Sequence, residues 1–180
     1  MKFCQVTAIF FALLLSVSNG MGQEISKTAF RISSPAFENK GQIPSRYTCD
    51  GININPPLQI ENIPKGIKSL ALIFDDLDAP GGSYVHWILW NIYPTIKEIR
   101  ENSVPESAVQ GMNGFKKQNY GGPCPPRRAH RYVFKIYALD ILLHLDPNST
   151  KTDLEKKVKD HVIGQAQLLG VYQRKGSSTK

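Results

Sequence analysis

Two histidines and one carboxylate are the residues of this sequence whose settings could put them to chemical use. Asp76 follows the apolar run SLALIFD, His86 lies inside YVHWILWNI, and His130 opens HRYVFKIYALD. Each stands beside a loop rich in proline or glycine. An imidazole among apolar residues must have its ring nitrogens satisfied. A single one is ordinarily a bonded core residue; two with a carboxylate, all beside such loops, suit a shared pocket. The stretch GGPCPP at 121–126 adds a rigid loop, because proline restricts the backbone and glycine lets it approach a ligand closely. Free N–H groups in such a loop accept an anion. Imidazole N–H groups donate to the same anion, and the acid holds one imidazole in its tautomer or receives a ligand ammonium. That inventory suits a phosphate or carboxylate group carrying a small amine.

A metal-assisted hydrolase is the enzymatic alternative, since two histidines and a carboxylate can form a metal triad. The sequence has no H-E-x-x-H spacing, no G-x-S-x-G elbow and no glycine-rich phosphate loop opening a helix. The expectation is therefore a binding protein and not an enzyme, with no cofactor and no metal. Other chemistry-bearing residues have blander readings. Asp75 alternates away from Asp76 and points to the other face of its strand. His161 lies near a helical apolar stripe and reads as core or helix-end packing, and His144 as a loop residue. Trp87 and Trp90 fall on opposite faces of one strand and read as packing.

The elements that must position these residues are mostly strands. Residues 69–75, 84–92 and 131–140 read clearly as strands, and the first two are apolar on both alternate faces, as in strands covered on both sides. Weaker strands are expected at 30–33, 58–60 and 167–173. One helix is expected after Thr152, where Thr152 and Glu155 match a capping box and Leu154, Val158 and Val162 form an apolar stripe. Lys156, Lys157 and Lys159 read as its solvated face. Few helices and several non-adjacent strands predict a mainly β, β-rich α+β domain: an antiparallel β-sandwich-like core with few peripheral helices.

The start of the chain reads as a secretory signal peptide over residues 1–22: Lys2, an apolar run from 6 to 17, then Ser18, Gly20 and Gly22. The run is shorter than the roughly 20 apolar residues a membrane span needs. Residues 23–174 then form one domain, and 175–180 a flexible tail. The protein is expected to be exported, periplasmic or secreted, with no transmembrane segment after signal removal. Cys4 leaves with the signal. Cys49 and Cys124 remain, and in an oxidising compartment an even number suggests a disulfide; two buried free thiols are the alternative. The formal net charge of +7 favours anionic partners. Because the positive charge is scattered, no nucleic-acid partner is expected.

At this point the residues reach a resemblance. The segments DLDAP at 76–80, His86-Trp87, GGPCPP at 121–126 and His130-Arg131-Tyr132 resemble the signature of the phosphatidylethanolamine-binding protein family, also called Raf kinase inhibitor-like. The likeness is to its bacterial and archaeal branch. Matching stretches at Ile43-Pro44, YTCDG at 47–51, Pro56-Pro57-Leu58, YALD at 137–140 and His161-Val162 extend it over roughly residues 30–174. The resemblance implies an antiparallel β fold with a small surface cavity that binds anions such as phosphate or a phospholipid headgroup, in a protein expected to modulate a protein partner. The ligand-binding residues carried over are Asp76, His86 and His130, with Tyr132, Gly122 and Pro123 close by. Asp78 and Pro80 look like loop-shaping residues. An alternative is a secreted inhibitor that acts through its surface and keeps a vestigial pocket. Two departures stand out: Leu77 where the family usually has proline, expected to loosen that turn, and Arg127-Arg128-Ala129 where glycine is common, which adds positive charge at the rim.

Overall fold

A computed structural model describes residues 29–175. The expected signal peptide and its cleavage site lie outside the described residues, as does the expected tail beyond Lys175. Nine strands and one helix follow in order: β1 (Arg31–Ser33), β2 (Gly41–Gln42), β3 (Leu58–Glu61), β4 (Ser69–Asp76), β5 (Tyr84–Ile92), β6 (Glu98–Ile99), β7 (Val109–Gln110), β8 (His130–Leu139), α1 (Lys151–Val158) and β9 (Val162–Tyr172), with a 3-10 turn at Ser45–Tyr47. A six-stranded sheet runs β2-β9-β8-β4-β5-β7, and a three-stranded sheet runs β1-β3-β6. All pairings are antiparallel except the short β2–β9 contact, which is parallel.

Strand alternation builds the two sides of the large sheet. Leu70, Leu72 and Phe74 of β4 join Trp87 and Leu89 of β5 and Tyr132, Phe134 and Ile136 of β8 in a core shared with Ile32, Leu58, Ile60 and Ile99 of the small sheet. Ala71 and Ile73 face the other way, into a second cluster with Ile88 and Trp90, closed by Leu143 and by Leu154 and Val158 of α1. The central strand β4 is thus buried at every position, as its doubly apolar sequence requires. Phe74 stacks on Phe134 at 3.8 Å between ring centroids. Truncating a ring buried this way costs about 3–5 kcal/mol. No helix of the described residues is long and apolar enough to cross a membrane.

Four expectations need correction. The helix is capped by Thr150, not Thr152: Asp153 accepts from the Thr150 N–H at 2.8 Å and from its hydroxyl at 2.7 Å. Val162 does not continue the apolar stripe, because α1 ends at Val158 and Val162 opens β9. The last strand is much longer than 167–173. Its first half has alternate exposed residues with small Gly164 and Ala166 between them, a weak strand signal that pairing with the full length of β8 overrides. His161 is not core: its Nδ1 pairs with Asp140 Oδ1 at 2.8 Å, and both side chains are well exposed.

Candidate functional site

Asp76 ends β4 and His130 opens β8, so antiparallel pairing brings these two strand ends together; Asp76 lies opposite Tyr132 in the register. Alternation places Asp76 on the Phe74 side of the sheet and His130 on the Tyr132 side, which are the same face. His86 reaches that face by a different device. Phe74 pairs with Trp87 while the next residue, Asp75, pairs with Val85, so His86 is an extra residue on β5. Such a β-bulge bends the strand and re-aims the side chain. The His86 ring consequently meets Phe74, at 5.5 Å between centroids, and Tyr132, at 5.4 Å.

The resulting cluster is almost fully buried. Asp76 is 4% exposed, His86 and His130 3% each, and Tyr132 is sealed. His130 Nδ1 lies 2.8 Å from Asp76 Oδ2. The other oxygen of Asp76 accepts the Asp78 N–H at 2.9 Å. His86 Nδ1 donates to the Gly121 carbonyl at 2.7 Å. The Tyr132 hydroxyl faces the Asp76 carboxylate and the Cys124 backbone without closing a hydrogen bond to either. A buried hydroxyl left in that state is costly. Burial pushes the His86 imidazole below its ordinary value, against the pull of the Gly121 carbonyl and Asp76. Burial first, then Asp76, pushes the Tyr132 phenol up.

The flanking loops hold the cluster in place. Asp78 accepts from the Arg131 backbone at 2.8 Å and from its guanidinium at 2.7 and 2.9 Å, which lowers its carboxyl to about 2. Asp78 therefore shapes the loop, as expected. Leu77 does not loosen the turn: its N–H donates to the Arg131 carbonyl at 2.8 Å, a bond proline could not make. The segment 121–126 is tied down by a Cys49–Cys124 disulfide with Cα atoms 5.4 Å apart, and by the Cys49 N–H donating to the Pro123 carbonyl at 3.1 Å.

The expectation of free N–H groups in this loop is corrected at two positions. Gly121 N–H donates to the His86 carbonyl at 3.0 Å and Gly122 N–H to Asn53 Oδ1 at 2.7 Å. Gly122 and Pro123 are buried and belong to the frame of the site. Arg127 and Arg128 are exposed beside it. Gly121 and Gly122 also line a cleft of about 210 Å³, with the disulfide, Asn53, Phe115, Lys117 and Tyr120 among others.

Asp75 points away from the cluster, as alternation requires, and is fully buried against Lys151 Nζ at 2.6 Å. The described residues contain no group of three or more His, Cys, Asp or Glu placed to hold a metal ion.

Sequence reasoning missed two asparagines. Asn53 adopts φ 64° and holds Gly122. Asn113, 4% exposed, accepts from the N–H groups of Phe115 and Lys117 at 2.9 and 3.0 Å and donates to the Asn119 carbonyl at 2.8 Å. It shapes the loop whose Phe115 ring packs edge-on to His86, 5.3 Å away. The turn dipeptide Asn113-Gly114 was the available signal.

A family model described as phosphatidylethanolamine-binding protein matches residues 33–173. A UPF0098 protein of Methanothermobacter thermautotrophicus is 46% identical, over 79% of this chain and 98% of its own length. A UPF0098 protein of Pyrococcus abyssi is 42% identical, over 97% of this chain and all of its own. A crystal structure of a phosphatidylethanolamine-binding protein homologue from Chlamydia trachomatis superposes with a TM-score of 0.79 at 37% identity, covering 82% of this chain and 99% of its own. Escherichia coli YbcL, described as a member of the mammalian family, superposes with a TM-score of 0.77 at 30% identity, covering 81% and 99%.

Proposed function

The chain belongs to the phosphatidylethanolamine-binding protein family, and from that premise we propose that it is an exported binding protein, not an enzyme, whose pocket takes a small anion such as phosphate or a phospholipid headgroup. The observation that carries the reading is the buried cluster of Asp76, His86, His130 and Tyr132, with a tyrosine hydroxyl that closes no bond of its own. Polar groups concentrated at the end of a β-sandwich core are expensive unless a ligand or the protein satisfies them. Export is supported by the Cys49–Cys124 disulfide, since such bonds persist in oxidising compartments. The exposed Arg127 and Arg128 would attract an anion over a longer range that salt screens.

Calorimetry of the full mature chain with inorganic phosphate and with phosphoethanolamine tests the pocket. Binding that His130→Ala abolishes supports it, and absence of binding between about pH 5.5 and 8 removes it. Intact mass of the exported protein tests the signal: a mature chain still starting at Met1 overturns export by cleavage.

A further inference from the structure

Apart from the buried cluster, a cleft of about 250 Å³ is lined by β5, β7 and the loops carrying Asn53, Asn102 and Asn119. Its lining is rich in carboxamides and carries no charged side chain. Three of these carboxamides are oriented by groups that can only donate, since a main-chain or indole N–H has no acceptor capacity. Asn53 therefore turns Oδ1 to the Gly122 N–H, 2.7 Å away, and Gln110 turns Oε1 to Trp87 Nε1 at 2.8 Å. Asn113 spends its Oδ1 on the Phe115 and Lys117 N–H groups. Its Nδ2 is thus the atom facing Asn119, 2.8 Å from the carbonyl and 3.5 Å from Oδ1. In all three side chains the NH2 group is what remains. No hydrogen bond among the described residues uses Asn53 Nδ2, Gln110 Nε2 or Asn119 Nδ2.

We propose that this cleft binds an extended, uncharged peptide segment by its main-chain carbonyls, with the NH2 groups of Asn53, Gln110 and Asn119 as donors. Carbonyl oxygens only accept, so they match a lining with surplus donors. A sugar hydroxyl brings a proton along with its lone pairs, and those protons would go unmatched. An ionised ligand would leave water without an opposite charge to meet it. The Asn102 and Ser103 side chains supply acceptors for the peptide's own N–H groups. Their loop is pinned: the Ser103 N–H donates to Asn55 Oδ1 at 3.0 Å, and Asn102 holds φ 51°, a conformation asparagine tolerates. Half-buried Ile54 and exposed Val104 form apolar walls for a ligand side chain. Two observations favour a strand-like ligand. Gln110 lies on β7, the last strand of the large sheet, and no strand of the described residues pairs with its other side. Such an edge takes up an added strand. Asn53 and Asn119 also line the cleft beside the disulfide, so the donors serve a ligand longer than one residue. The proposal does not rest on the anion pocket.

Nitrogen–proton NMR of the full mature chain tests this, because side-chain NH2 pairs give signals of their own. The probe is a pool of tetrapeptides of uncharged residues, acetylated at one end and amidated at the other. The NH2 signals of Asn53, Gln110 and Asn119 should shift at peptide concentrations up to about 10 mM. No shift at these signals overturns the proposal, and so does maltotriose moving them when the peptides do not. In Gln110→Glu and Asn53→Asp the oxygen that holds Trp87 or Gly122 stays while the donor is lost. Peptide affinity should fall at least about 10-fold in each. Affinities equal to the parent's in both variants overturn the role given to the NH2 groups. Should neither variant fold, the peptide and maltotriose series on the parent protein still decides.

Discussion

His130 and Asp76, 54 residues apart, meet through Nδ1 and Oδ2 at 2.8 Å with only 4% and 6% of their side chains exposed. Asp76 thereby fixes which nitrogen of His130 faces the protein, and it anchors the following turn through the Asp78 N–H. Asp76→Ala leaves the buried His130 Nδ1 and the half-buried Asp78 N–H without their acceptor. The expected loss is about 1–3 kcal/mol of unfolding free energy, read from urea melts. A midpoint equal to the parent's would show that the pair is not structural.

His86 makes the fold sensitive to acid. Its folded-state value is lowered, chiefly by burial. The unfolded imidazole binds a proton near pH ~6.5 while the folded one does not, so His86 contributes stability that is full above that pH and lost as pH falls toward the folded value. The slope is at most about 1.4 kcal/mol per pH unit. Unfolding free energies measured between about pH 5 and 7 should fall less steeply in His86→Gln. An identical slope in the two proteins would place the acid sensitivity elsewhere.

Gly122 has no room for a side chain. A Cβ there would sit 2.5 Å from the Tyr47 carbonyl oxygen and 2.8 Å from Thr48 Cα, both backbone. Gly122→Ala must push the 121–126 loop away from the 47–49 segment. The expected cost is about 1–3 kcal/mol, with phosphate affinity falling because Gly121 no longer holds His86. Thermal melts and calorimetry read the two effects, and a variant with parental values in both would refute the packing argument.

The Cys49–Cys124 bond closes a loop across a separation of 75 residues. In the chain-entropy account, a loop of this size is worth roughly 4 kcal/mol. The Cys49→Ser, Cys124→Ser double variant should unfold at correspondingly lower urea, and a reductant should shift the parent toward it. A parent and variant that unfold together under oxidising conditions would argue against the bond.

On the other face of β4, Asp75 is fully buried and rests on Lys151, with Lys135 at 3.9 Å. Lys151→Met strands a buried carboxylate and should cost about 3–5 kcal/mol, less whatever Lys135 recovers. Restoring stability with Asp75→Leu in the same chain would identify the stranded charge as the cause. A double variant no more stable than Lys151→Met would place the cost in lost side-chain packing.

Much of this molecule could be read along the chain. The runs at 69–75 and 84–92 declare strands covered on both faces, because apolar residues at consecutive positions have no solvent side to spare. Asp75 and Asp76 could be assigned to opposite faces by their period alone. Local competition was harder to read. Thr150 and Thr152 are both plausible caps, and only the chain's entry direction makes Asp153 reach back to Thr150. Gly164 and Ala166 carry too little side chain to announce the long β9.

The residue types at the site, the strand ends that carry them and the two cysteines are properties of the sequence by itself. Tertiary structure alone decided how they are aimed. Strict alternation along β5 would turn His86 away from Trp87 and out of the cluster; the bulge opposite Phe74 and Asp75 brings it in. Likewise, the N–H groups of Gly121 and Gly122 look available in the sequence, yet His86 and Asn53 take them. The reason is common to both. Strand register and the choice of hydrogen-bond partner are set between segments tens of residues apart, where short-range periodicity carries no information.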